Sequence, residues 1–171
     1  MKKLISLAAA ALITLGAAQA MAATANGSVE LKATLNSYAA LTISTASLDF
    51  GAQATPGDAI GAQGTAYTAK VRQGHGVDGT LSITGSDLVG TGSNTEKITA
   101  DKIQLTATVD KTGVAAAPFT LSAAPAVAVT LDKSGEYAGN LSFALTLNTA
   151  EFWALPADTY TGTQSLTLSA P

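Results

Sequence analysis

The sequence predicts an all-β fold, an antiparallel β-sandwich, from three observations. Apolar residues recur at every second position along most of the chain beyond residue 22, the period of a strand with one dry and one wet face. Turn chemistry built on Gly, Pro, Asn and Asp interrupts these runs at fairly regular intervals, as it does in a sandwich or a barrel. No apolar repeat of helical period appears, so the crossover helices that a parallel sheet needs are missing.

The first segment reads as an address, not a strand. Lys2 and Lys3 precede an apolar stretch over residues 4–18, and small residues follow at Ala18, Ala20 and Ala22. That is the three-part grammar of a secretory signal peptide over residues 1–22. The apolar stretch is shorter than the ~20 residues of a spanning helix. The expectation is a secreted chain, leaving residues 23–171 as enough chain for one domain with its own core.

The strands follow in order. In residues 28–35, Val29, Leu31, Ala33 and Leu35 share one face, with Glu30, Lys32 and Thr34 on the other. Residues 23–36 form an N-terminal strand segment, and residues 37–171 form the sandwich. Leu41-Thr42-Ile43 and Leu48-Asp49-Phe50 come next, the latter closed by Gly51. Residues 52–64, with Pro56-Gly57-Asp58, read as a loop. Residues 66–72 place Tyr67, Ala69 and Val71 on one face, and Leu81 and Ile83 resume the alternation after a glycine-rich turn around His75. Residues 87–102 are polar and read as a long loop. Ile103, Leu105, Ala107 and Val109 make a strong strand. Phe119-Thr120-Leu121 and residues 127–131 make shorter ones. Leu141, Phe143, Leu145 and Leu147 give the clearest alternation, residues 151–158 are a connection, and residues 160–168 are the last strand, with Leu166 and Leu168 inward.

Composition excludes most chemistry. There is no cysteine and a single histidine, so neither a zinc site nor a His-based general base can be assembled from the usual ligands and partners. No Gly-x-Ser-x-Gly elbow occurs, and no EF-hand spacing. Asp49, Asp78, Asp87 and Asp101 are the loosest carboxylate candidates, and turn duty accounts for such residues. The expectation is no enzyme, no metal and no cofactor. Without Lys2 and Lys3, seven basic residues stand against twelve acidic ones. The basic residues are scattered, which excludes nucleic acid as a partner. Trp153 is the only tryptophan. It is expected to cap the core beside Phe152 and Leu155, with sugar stacking as its other reading.

Two stretches carry a family resemblance. Gly27-Ser28-Val29-Glu30-Leu31-Lys32-Ala33-Thr34-Leu35 resembles the N-terminal donor segment of cysteine-free fimbrial major subunits of the alpha-class chaperone–usher type. Leu155-Pro156-Ala157-Asp158-Thr159-Tyr160-Thr161-Gly162-Thr163 with Leu166-Thr167-Leu168 is similar to their last strand, and Leu48-Asp49-Phe50-Gly51 is similar to an element of spore-coat-protein-U-like secreted subunits.

The resemblance implies an immunoglobulin-like antiparallel β-sandwich lacking one strand. It implies a structural subunit of a fimbria or surface fibre, assembled head to tail by donor-strand complementation. A second copy of the chain, a periplasmic chaperone and an outer-membrane usher are its implied partners. Val29, Leu31, Ala33 and Leu35 would be the donor side chains, and Leu48, Phe50, Leu166 and Leu168 would line the acceptor groove.

Ordering about eight residues costs on the order of 8–16 kcal/mol. Burying three large apolar side chains and an alanine returns roughly 5–9 kcal/mol, so the segment also needs backbone pairing, best along both edges. The same arithmetic holds if the segment completes its own domain as an ordinary first strand. The other functional reading is a monomeric secreted binding or adhesion module, glycan-binding, with Trp153, Tyr38, Tyr67 and Tyr137 as contacts.

Overall fold

The computed structural model describes residues 30–52, 60–92 and 95–171. The segment 1–22 expected to be a signal peptide, Val29 of the expected donor segment and most of the loop around Pro56 lie outside the described residues. Residues 35–171 form one compact unit, built almost wholly from antiparallel strands.

One sheet holds β1 (Tyr38–Ile43), β2 (Gln63–Arg72), β10 (Gly135–Leu145), β6 (Ile103–Ala107) and β8 (Phe119–Thr120), side by side in the order β1-β2-β10-β6-β8. The second holds β12 (Ser165–Ser169), β3 (Gly79–Thr84), β9 (Ala126–Leu131) and β7 (Val114–Ala115), in the order β12-β3-β9-β7. A small third sheet joins β11 (Tyr160–Thr161), β4 (Leu88–Gly90) and β5 (Lys97–Ile98).

The core follows from the two-residue period. Thr65, Tyr67, Ala69 and Val71 of β2 are buried, while Gly64, Ala66, Lys70 and Arg72 face out. Ile103, Leu105 and Ala107 of β6 and Leu141 and Phe143 of β10 complete the inner face of the first sheet. Leu81, Ile83, Ala128, Val129 and Leu131 form that of the second. A register shift between Leu81 and Ser82 inserts an extra residue into β9. This bulge lets the consecutive Ala128 and Val129 both be buried, which strict alternation forbids.

Tyr67 crosses the inner face to donate its hydroxyl to the Thr108 carbonyl at 3.0 Å. Burial, with the Asp110 charge adding to it, pushes this phenol up to about 12, so it stays a neutral donor. Its path passes over Gly139, where a Cβ would strike the Thr108 carbonyl oxygen and the Tyr67 ring.

Several elements depart from the sequence expectation. Residues 87–102 are not one loop: they contain β4, β5 and a 3-10 turn (Ala100–Lys102). They bury Leu88, Ile98 and Ala100. Leu48-Asp49-Phe50 is not a strand. The Asp49 carboxylate instead accepts from the Gly51 amide at 2.8 Å, and Gly51 has a φ of +74°, so the stretch turns. The final strand is broken into β11 and β12, which belong to different sheets.

The expected connection before it carries a helix, α1 (Thr149–Ala154). It opens with a capping box in which the Asn148 side chain accepts from the Glu151 amide and the Glu151 carboxylate accepts from the Asn148 amide. Trp153 on this helix is 72% exposed, so it does not cap the core. Among the described residues no helix is long and apolar enough to cross a membrane.

Four carboxylates staple the loops. Asp158 accepts from the Gly92 amide at 2.9 Å and the Thr159 amide at 2.7 Å. Asp87 holds Lys97 at 2.5 Å and the Ala100 amide at 2.9 Å. Glu151 pairs with Lys102 at 2.5 Å, and Asp132 accepts from the Thr112 hydroxyl at 2.8 Å. Donors on the ionised form hold all four below their ordinary values of 3.8 for Asp and 4.5 for Glu: first the Gly92 amide for Asp158, Lys97 for Asp87, Lys102 for Glu151 and the Thr112 hydroxyl for Asp132. A carboxyl depressed in the folded state stabilises fully above its unfolded value and loses that contribution as pH falls through the folded one. Thermal melting is therefore expected to be flat with pH down to the ordinary carboxylate values and to drop below them. Asp158→Asn should make that acid drop shallower.

Candidate functional site

The two lateral sides of the sandwich are built differently. On one side the edge strands are β7 and β8, two residues each. The chain passes from one to the other through Ala116-Ala117-Pro118, so that side is strapped across by covalent backbone. Very short edges and a proline are common means of blunting a sheet edge against further pairing.

The other side is edged by β1, six residues long, and β12, five residues long. Among the described residues each has a ladder on one edge only, β1 with β2 and β12 with β3. Their Cα atoms come within 8 Å of each other, yet no ladder joins them.

Both rails are held firmly from behind. Gln164 accepts from the Ser86 amide at 2.8 Å and donates to the Ser86 carbonyl at 3.1 Å. The Ser86 hydroxyl donates to the Thr163 carbonyl at 2.7 Å. At the far end of β12 the Gly74 amide donates to the Pro171 carbonyl at 2.7 Å. Beyond β1, the Ser44 amide donates to the Ala66 carbonyl, and the buried Thr65 hydroxyl accepts from the Thr45 amide at 3.0 Å.

Burial fades from the centre of each sheet toward these rails. Ile83 and Leu81 of β3 are 1% and 0% exposed, but Leu166 and Leu168, their register partners on β12, are only half-buried. Leu41 and Ile43 of β1 are likewise half-buried, opposite the buried Ala69 and Tyr67 of β2. Leu48, Phe50 and Ala170 also pack on the core while staying half-buried. All four residues assigned from the resemblance to the acceptor groove thus lie against the core without being enclosed by it. Leu41, Ile43 and Ala170 share that character and were not singled out from sequence.

Of the residues that the resemblance makes donors, Leu31 is 91% exposed and Leu35 76% exposed, and Ala33 is exposed as well. Residues 30–37 form no strand, so the alternation expected there has no ladder behind it.

The residues considered for other chemistry separate clearly. His75 is an exposed turn residue. Among the described residues no group of three His, Cys, Asp or Glu is placed to hold a metal. Tyr67 and Tyr137 are buried, so two of the four aromatic contacts expected for a glycan site are core residues. Tyr38 and Trp153 are exposed.

The fold and this site define a class: an antiparallel β-sandwich with one strapped side and one side whose two rails, among the described residues, each lack a second strand neighbour. Comparison with protein-family models, characterised proteins and solved structures finds no match to the chain.

Proposed function

We propose that this chain is an extracellular structural subunit of a fimbria or related surface fibre, exported through the periplasm and polymerised by strand donation. Residues 28–35 of one copy enter the open side of the next and pair with β1 and β12. The observation that carries this reading is the contrast between the two sides of the sandwich, blunted at β7 and β8 and open at β1 and β12. A donated strand held along both edges gains about eight to ten ladder bonds worth roughly 0.5–1.5 kcal/mol each. That covers what burial of its apolar side chains leaves short. The contact is heterologous, so it propagates. A chaperone and an usher would serve the same open side before and during assembly.

Supporting the immunoglobulin-like form of the sandwich, the chain crosses from one sheet to the other between β9 and β10. There the Tyr137 hydroxyl donates back to the Lys133 carbonyl at 2.8 Å, as a tyrosine at such a corner does in that fold.

Two strands flanking a third stand about 9.5 Å apart, so β1 and β12 must part where they are nearest before a strand enters between them. Electron microscopy of the purified exported chain tests the reading: fibres, with SDS-resistant ladders that collapse on boiling, are expected. A monodisperse monomer at all concentrations would remove it. The exposed indole of Trp153 favours a second reading, a glycan-binding module, whose mark would be glycan binding lost in Trp153→Ala.

A further inference from the structure

Strand donation leaves open why the segment does not serve its own copy, and the connection into β1 bears on that. β1 begins at Tyr38, so only Asn36 and Ser37 separate it from Leu35. A two-residue connection joins antiparallel neighbours; a parallel neighbour needs a crossover of a dozen residues or more. Self-completion on the free edge of β1 that keeps both Leu35 and Tyr38 in the ladder therefore means a hairpin with Asn36-Ser37 as its turn; a longer loop would forfeit pairing at one of them. Two-residue hairpins use type I′ or II′ turns, with positive φ at both central residues or at the first. Positive φ occurs among the described residues only at Gly51, Gly76 and Lys111, so neither Asn36 nor Ser37 has it. Asparagine tolerates that region; serine has no such licence, and neither residue is the glycine that a II′ turn wants at its first position.

We infer that Asn36-Ser37 is a device against closure in cis: its side chains disfavour the hairpin turn and keep residues 28–35 available to a second copy of the chain. This inference rests on the strand-donation reading and adds to it what sets the balance between closed monomer and polymer. Ser37→Gly creates Asn-Gly, the pair most favoured in type I′ turns. It relieves a left-handed serine, which shifts the cis equilibrium toward closure by about 5–30-fold. Asn36→Pro does the reverse, because its fixed negative φ forbids the first position of both turns and holds Leu35 extended.

The experiment follows polymer formation of the full exported chain by light scattering and sizing chromatography, for wild type, Ser37→Gly and Asn36→Pro. A synthetic peptide of residues 28–35 is titrated in parallel onto a chain lacking them. Ser37→Gly is expected to raise the monomeric fraction several-fold and to yield monomers that refuse the peptide. Asn36→Pro is expected to polymerise at least as fully as wild type. Peptide binding to the truncated chain with Ser37→Gly polymerising like wild type overturns the inference and leaves strand donation standing. A peptide that fails to bind the truncated chain overturns both.

Discussion

Removal of residues 28–35 is expected to abolish fibres while leaving a folded domain, and adding those residues back as a peptide is expected to stabilise it. The core of the domain draws on other elements: its fully buried side chains include Leu81 of β3, Leu105 of β6, Leu131 of β9 and Leu141 of β10, whereas the described residues 30–35 are exposed. Polymer length should therefore fall to one, whereas the far-ultraviolet signature of the sheets should persist. The peptide binds only the folded form, so its effect on melting grows with its concentration, by about 2.7 kcal/mol at a hundredfold excess over its dissociation constant. Leu168→Asp supplies the control. Leu168 is half-buried on the rail of β12, and a donated strand would enclose the new carboxylate without a partner. The truncated Leu168→Asp chain is expected to fold and to show no melting shift with peptide. A full shift would place the peptide elsewhere.

The second large effect belongs to the sandwich itself. Gly139→Ala is expected to lower stability by about 1–3 kcal/mol from forced backbone and side-chain movement. Losing the Tyr67–Thr108 hydrogen bond would cost a further ~0.5–1.5 kcal/mol. Gly139 pairs with Tyr67 across the β10–β2 ladder. A Cβ there meets the Tyr67 ring carbon and hydroxyl at 2.8 Å and, closer still, the Thr108 carbonyl oxygen. The ring can swing away, but the carbonyl is backbone and has little freedom. Gly135→Ala, four residues earlier on the same strand, meets nothing nearer than a Tyr137 ring carbon at 3.9 Å, and should stay within about 0.5 kcal/mol of wild type. Urea unfolding of the two variants side by side checks the contrast. Equal midpoints would mean that β10 yields at Gly139.

The strands with several inward apolar residues were legible in the sequence because their period is local. β2, β3, β6, β9 and β10 all fall where Tyr67, Leu81, Ile103, Val129 and Leu141 mark an alternating face. β4 and β5 were not, because two or three residues are too few to show a period: Leu88-Val89 and Ile98 stand in otherwise polar surroundings. The short helix α1 had a readable signature in Asn148 and Glu151, three apart as a capping box requires, but six residues give no helical repeat.

The open side, which the family resemblance implies, lies beyond the reach of periodicity for a different reason. Leu41-Thr42-Ile43 reads as a strand in any context. That its strand has one neighbour instead of two among the described residues depends on β2 and β12, far along the chain. Pairing at such distance is set by packing of the whole domain. The same holds for Trp153, whose exposure reflects how α1 sits at the surface.

The absence of cysteine makes one measurement especially clean. Outward-facing Lys32 or its neighbours Glu30 and Thr34 can each be paired as cysteine with Thr167→Cys on β12, and the variants oxidised singly mixed and doubly substituted. Strand exchange between copies predicts disulfide heterodimers from the mixture and a multimer ladder from the double variant. Double variants that instead close as disulfide-bonded monomers, or mixtures that form no heterodimer at any of the three positions, would contradict it.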